Sequence, residues 1–204
     1  KQLGYAVFTN DGTKWSEPTL LEGTFGHYIC RAASHDGKAF LCGRRKASFA
    51  VEVMGERGHN QSIMLESDDG LIFRHRAYFQ ESGGNETAFF FEKDGSLLAL
   101  DRNAGGNSML CSAKPPYTDW NRRPLDRFVG GPLLVKWGDH TLVGGRHTTK
   151  DKGAKTSLGW LSDDKFSEFA ELPSGGDNSY PGFVEHSPTK GLVSWYSSHE
   201  KDAA

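Results

Sequence analysis

The chain has 204 residues, 36% of them hydrophobic and 25% charged, which is enough apolar material for a globular core, with a formal net charge of only −2. That balance argues against nucleic acid or an acidic membrane surface as a partner, and no apolar run approaches the ~20 residues that a membrane span needs. Three cysteines, Cys30, Cys42 and Cys111, lack any metal-ligand spacing and read as free thiols, with a Cys30–Cys42 bridge left open only if the two flank a hairpin.

The N-terminus, KQLGYAVFTND, lacks an initiator Met and reads directly as a strand, with neither a secretory nor a transit signature. The chain is therefore expected to be cut from something longer, and its compartment stays open. Further along, four segments share one shape, a polar turn that leads into an apolar run: DGKAFLCGRR (36–45), DGSLLALDR (94–102), GDHTLVGGR (138–146) and TKGLVSWYSS (189–198). Another short apolar run precedes each of them: HYICRAAS, ETAFFFEK, GGPLLVKW and SYPGFVEH. Two such runs around a tight Asp-Gly or Gly-Asp turn predict a β-hairpin.

A second repeat lies between the hairpins. TNDGTKW (9–15) and SDDGLIF (67–73) share Ser/Thr-x-Asp-Gly-x-x-aromatic, LSDDKFSEF (161–169) is a decayed copy, and SAKPPYTDW (112–120) fills the remaining slot. In such a turn the hydroxyl and carboxylate bond backbone amides, Gly takes φ > 0, and the aromatic is expected to plug the hairpin into its sheet. Asp11, Asp69, Trp15 and Phe73 are thus structural, and Phe89, Phe91 and Trp195 are expected in the core between sheets. No segment holds a helical period. Short strands repeating roughly every 50 residues predict an all-β chain, a β-propeller with about four blades, forming a single domain over 1–204.

In a propeller blade the innermost strand starts near the axis, and the second strand returns to end on the same face. Those positions are Arg31, Glu86, Gly130–Gly131 and Tyr180 at the starts, and Arg44, Arg45, Arg102, Arg146 and the stretch from Ser197 to Glu200 at the ends. Arginine is rarely buried without a partner, and its planar fork matches a carboxylate. Several arginines around one cavity imply an anionic ligand. Arg44 and Arg45 are expected in a solvated loop.

The Asp-Gly turns resemble the Asp-boxes of sialidases and related BNR-repeat proteins. More specifically, NETAFFFEKDGSLLALDR (85–102) resembles the sialidase segment that carries the catalytic glutamate and a triad arginine. GGPLLVKWGDHTLVGGR (130–146) resembles the blade that supplies another triad arginine, and SGGDNSYPGFVEHSPTKGLVSWYSSHE (174–200) resembles the blade whose strand opens on the nucleophilic tyrosine. The chain is especially similar to bacterial exo-α-sialidase-like proteins. The resemblance implies a six-bladed propeller and a glycoside hydrolase that releases terminal sialic acid or a related 2-keto acid sugar. It implies Tyr180 and Glu86 as the catalytic pair, with Arg102, Arg146 and Arg31 binding the substrate carboxylate. It implies no metal and no organic cofactor.

Asp177 either orients an arginine or caps the GGDN turn, and His199 either lines the cavity or sits in a loop without a role. The acid/base aspartate of the family belongs to blades that this chain lacks, and no Asp here sits in a motif that would carry its role. Two alternatives therefore stay open: a propeller that binds an anionic glycan without turning it over, and an inactive piece lacking its acid. A five-bladed glycosidase would place three carboxylates around the axis, where this sequence has arginine and tyrosine.

Overall fold

A computed structural model describes residues 2–46, 60–149 and 153–198. Every regular element among them is a strand, and no helix is long and apolar enough to cross a membrane. A two-stranded sheet, β1 (Gly4–Ala6) and β2 (Thr19–Leu21), comes first. Three four-stranded antiparallel meanders follow. They are β3 (Tyr28–His35), β4 (Lys38–Lys46), β5 (Asn60–Ser67) and β6 (Arg74–Gln80); then β7 (Thr87–Phe91), β8 (Leu97–Asp101), β9 (Met109–Ala113) and β10 (Trp120–Pro124); then β11 (Gly130–Trp137), β12 (His140–Thr149), β13 (Gly153–Ser162) and β14 (Lys165–Leu172). A second two-stranded sheet, β15 (Asn178–Ser187) and β16 (Lys190–Ser197), ends the order. The innermost strands β3, β7, β11 and β15 pack successively on one another, as blades around an axis do.

Each predicted hairpin joins the first two strands of its sheet. Asp36 and Gly37 both adopt positive φ (49° and 73°) in the two-residue connection between β3 and β4, the conformation that a tight hairpin with the right twist demands. All four slots of the second repeat lie between the last two strands of a sheet. In the first, Thr9 Oγ1 accepts from the Gly12 amide at 2.8 Å, and Asp11 Oδ1 accepts from the Thr13 and Lys14 amides at 2.8 Å each. Ser67 and Asp69 repeat these bonds to Gly70, Leu71 and Ile72 at 2.9, 2.8 and 2.9 Å. The amides of Lys14 and Thr13 hold the Asp11 carboxyl down to about 2.

The core lies between the sheets, and strand alternation builds it. Phe40, Cys42 and Met64 face the β7–β10 sheet and pack with Phe79, Phe89, Leu97 and Cys111, while Leu41, Ile63 and Leu65 face the other way onto Leu21 and Phe73. Leu100, Leu110, Leu134 and Val143 fill the space between the β7–β10 and β11–β14 sheets, and Leu133, Leu142 and Leu158 meet Phe183 and Val193 of the last. Phe73 and Phe89 are buried as expected. Trp15 and Trp195 are not, at 59% and 37% exposed. Trp15 lies in the connection of the first two-stranded sheet and Trp195 in β16 of the last, where there is too little sheet to cover an indole.

Candidate functional site

The inner strands β3, β7, β11 and β15 and the returning strands β4, β8 and β12 bring one group of side chains to the same end of the sheets. Glu86 directly precedes β7 and Arg102 directly follows β8, and the ladder continues one rung further through the Arg102 amide to the Glu86 carbonyl at 2.9 Å. That rung sets the two side chains face to face, with Arg102 Nη1 2.7 Å from Glu86 Oε2. Arg44, in β4, approaches Glu86 Oε1 at 4.0 Å, donates to Asn85 Oδ1 at 3.0 Å and lies over the Tyr28 ring.

A buried polar shelf fixes this segment. Thr87 Oγ1 and the Asn85 amide donate to Asp101 Oδ2 at 2.7 and 2.9 Å, Ser62 and Thr87 share a hydrogen bond of 2.6 Å, and Asn85 Oδ1 accepts from the Glu86 amide. Asp101 is fully buried, and burial raises its carboxyl above the ordinary range despite these donors. For Glu86, 6% exposed, burial also pushes upward, but Arg102, the Tyr180 hydroxyl and the Arg44 charge outweigh it and the carboxyl ends below its usual value.

Tyr180 reaches this group from β15 through a local irregularity. The β15–β16 register shifts between Ser179 and Gly182, and Tyr180 has φ 48°, a conformation that bulky residues adopt only where the surroundings enforce it. The enforcement is visible. Ser179 Oγ donates to the Gly130 carbonyl, and a Cβ on Gly131 would stand 2.4 Å from Ser179 Oγ and 3.1 Å from the Tyr180 ring. Glu86 and Tyr28 stand beside the Tyr180 hydroxyl; burial first, then these two neighbours, holds its proton far more tightly than in a free phenol.

Arg146, paired in register with Gly130, donates from Nη1 to Asp177 Oδ1 at 2.6 Å. Asp177 Oδ2 accepts from Tyr196 Oη at 3.0 Å, and the Tyr196 ring stacks on Tyr180 with centroids 6.2 Å apart. Asp177 also serves its turn, since its amide donates to Ser198 Oγ and its carbonyl accepts from the Ser198 amide. Both readings of this residue therefore describe it. Arg31 does not open its strand: Tyr28 does, and a register shift between Ile29 and Arg31 sets Arg31 opposite Cys42. Its Nε and Nη2 donate to the Pro132 carbonyl at 3.0 and 2.8 Å and its Nη2 to the Pro181 carbonyl at 2.9 Å, tying the third and fourth inner strands to the first. His199 lies outside the described residues.

Tyr28, Arg44, Asn85, Asp101 and Tyr196 were not singled out from the sequence for this cluster. Arg44 is no loop residue; it is paired within β4 opposite Tyr28. Arg45, its neighbour, turns away to Gln61 and Tyr78. The position of Tyr28 at the start of an inner strand, equivalent to that of Glu86, is the signal that would have found it. A concavity of about 820 Å³ lies at the opposite end of the β7–β10 sheet, beside Glu92, Pro115, Pro116 and Trp120, and none of the clustered arginines reaches it. His147, Glu168 and Glu171 bring ligand atoms within 4.8 Å of one another, on the face of β12 opposite Arg146, but Glu168 already faces Arg127 at 3.5 Å.

No protein-family model matches the chain, and no curated protein matches it. Among solved structures it is similar to a GH43B from a Bacteroides ovatus xyloglucan locus (TM-score 0.55, 12% identity, covering 85% of this chain and 36% of that one) and to the xylan beta-1,4-xylosidase of Bacillus halodurans C-125 (TM-score 0.58, 12% identity, 85% and 38%). An exo-1,5-alpha-L-arabinanase from a bovine ruminal metagenomic library gives a TM-score of 0.57 at 9% identity over 89% of this chain and 76% of that one. The fold is a β-propeller of the kind glycoside hydrolases use. These structures are five-bladed GH43-type propellers rather than sialidases, and the chain spans little more than a third of the first two. At such identity the likeness concerns the fold alone.

Proposed function

We propose that this propeller belongs to a glycosidase acting on a terminal sugar that carries a carboxylate, as the resemblance to six-bladed sialidases implies. The observation that carries the reading is the buried Glu86 carboxylate set between the Arg102 guanidinium and the Tyr180 hydroxyl. A substrate carboxylate approaching these arginines would repel a carboxylate nucleophile, whereas a neutral phenol meets it without that penalty; sialidases are one known exception to the two-carboxylate rule of glycoside hydrolysis.

In this reading the Tyr180 oxygen attacks the anomeric carbon while its proton passes to Glu86 in the same step, since the free phenolate is disfavoured at this site. Arg102 and Arg146 take the substrate carboxylate. Engaging Arg102 weakens its hold on Glu86 and makes that base stronger when the proton must move. Arg31 acts as a positioning residue, because its carbonyl bonds hold Pro181 beside Tyr180. The similar solved structures include complexes with xylotriose and arabinohexaose, which supports a glycan as partner without bearing on its charge.

A 2,3-difluoro sialosyl donor should leave a covalent label on the Tyr180 peptide, and Tyr180→Phe should abolish it. A folded chain that binds the donor and carries no label is not this enzyme. The second reading, a propeller that binds an anionic glycan without cleaving it, is favoured by one observation. Asp177 already sits on Arg146, Glu86 on Arg102, and Asp101 is fully buried on Asn85 and Thr87, so none of the cluster's carboxyls is placed as a spare acid for the leaving alcohol.

A further inference from the structure

We propose that Cys30 and Cys42 are a peroxide-sensitive modification site, closing to a reversible disulfide directly beneath the arginine–glutamate–tyrosine cluster. The two flank the β3–β4 hairpin. The register shift between Ile29 and Arg31 throws Cys30 towards β4, and its Sγ stops 3.8 Å from Cys42 Sγ. Both are free thiols, Cys30 partly exposed and Cys42 wholly buried. A disulfide needs sulfurs ~2.05 Å apart, so closure asks for a shift of under about 2 Å, in a bulged segment where the ladder is already interrupted. Cys111 Sγ faces the Met109 carbonyl instead.

The pair divides into an attacking and a resolving thiol. The Cys42 thiol beside it eases the Cys30 proton away against the pull of burial, whereas burial holds the Cys42 proton firmly. Cys30 thiolate attacks one peroxide oxygen, the O–O bond breaks, and the departing hydroxide takes up a proton as water. Cys42 sulfur then attacks the Cys30 sulfenic acid, the S–O bond breaks, and hydroxide leaves with the Cys42 proton as a second water. Two thiols are oxidised by two electrons, and peroxide is reduced to two waters.

The bond would act on the cluster through its neighbours. Cys30 lies between Tyr28, which stands beside the Tyr180 hydroxyl, and Arg31, which holds the carbonyl of Pro181. Drawing this segment towards β4 shifts both supports of Tyr180; this consequence, unlike the bridge itself, rests on the proposed role of Tyr180.

The test is non-reducing peptide mapping of the intact chain after stoichiometric hydrogen peroxide and alkylation. A Cys30–Cys42 linked peptide, lighter by two hydrogens and released by dithiothreitol, is expected, with Cys111 still alkylatable after unfolding. Cys42→Ser should halt at a Cys30 sulfenic acid that dimedone captures. No linked peptide, or a link through Cys111, overturns the proposal. Oxidation should also slow sialosyl labelling of Tyr180 by up to about 10²-fold, the order expected when a reacting group moves by ~1 Å. A bridge that forms in a chain never labelled in either redox state overturns the glycosidase reading and leaves the modification site standing.

Discussion

Arg102 Nη1 lies 2.7 Å from Glu86 Oε2 on the first rung beyond the β7–β8 ladder, so that a backbone pairing and an ion pair reinforce each other. The Glu86 side chain is 8% exposed and that of Arg102 26%. Removing the arginine strands a buried carboxylate, and Arg102→Ala should destabilise the chain by ~3 kcal/mol. Glu86→Gln made alongside it should recover part of the loss, because the uncompensated charge is gone. Urea midpoints for the two single variants and the double variant give the coupling directly, and simple additivity would refute it.

The same pair makes stability depend on pH. The folded Glu86 carboxyl lies below its ordinary value of 4.5, so the unfolded chain binds the proton more readily. The contribution is complete above that ordinary value and is lost as pH falls through the folded value. Urea midpoints measured down this range should fall less steeply in Glu86→Gln than in the native chain.

Tyr180 works in the opposite sense. Its folded pKa is raised, so its contribution is complete below the ordinary phenol range near 10 and is lost as pH climbs beyond it. In an alkaline absorbance titration Tyr180 should stay a phenol through the ordinary phenol range. Tyr180→Phe should therefore leave the early phenolate signal unchanged. A loss of that early signal would contradict the burial of Tyr180 beside Glu86.

Gly131 has φ 52° and no room for a side chain against Ser179. Gly131→Ala should destabilise by more than ~1 kcal/mol and loosen the bulge that aims Tyr180. Its effect should appear both in the thermal midpoint and as slower labelling of Tyr180. An alanine variant that matches the native chain in both would show that the close approach is not needed.

If the cluster hydrolyses a glycoside without a positioned acid, the leaving group decides the rate. Aryl sialosides, whose phenolate needs no proton to depart, should react at least ~10²-fold faster than alkyl sialosides, the range that general acid help supplies. Equal rates would mean that an acid is present after all.

Much of this was legible because turns and alternation are local. Asp36-Gly37 and Thr9-x-Asp11-Gly12 specify their bends within a few residues, and the positions of Glu86, Arg102, Arg146 and Tyr180 follow once strand starts and ends are known. Bulges are not local in that way. The irregularity at Ile29–Arg31 moved Arg31 into the strand and promoted Tyr28 and Arg44 to the cluster, and the one at Ser179–Gly182 set the aim of Tyr180. Nothing in the sequence around Asp101 distinguishes it from a surface turn residue, since its burial is created by Asn85 and Thr87 from the neighbouring strand.

In the proposed glycosidase Arg102 and Arg146 receive the substrate carboxylate. Calorimetric titration of the chain with sialic acid and with its uncharged carboxamide tests it most directly. The acid should bind, Arg102→Ala and Arg146→Ala should each weaken it by roughly tenfold or more, as loss of a charge-assisted hydrogen bond predicts, and the carboxamide should bind poorly to all three proteins. Equal binding of acid and carboxamide, or binding of the acid untouched by either substitution, would show that these arginines do not receive a carboxylate.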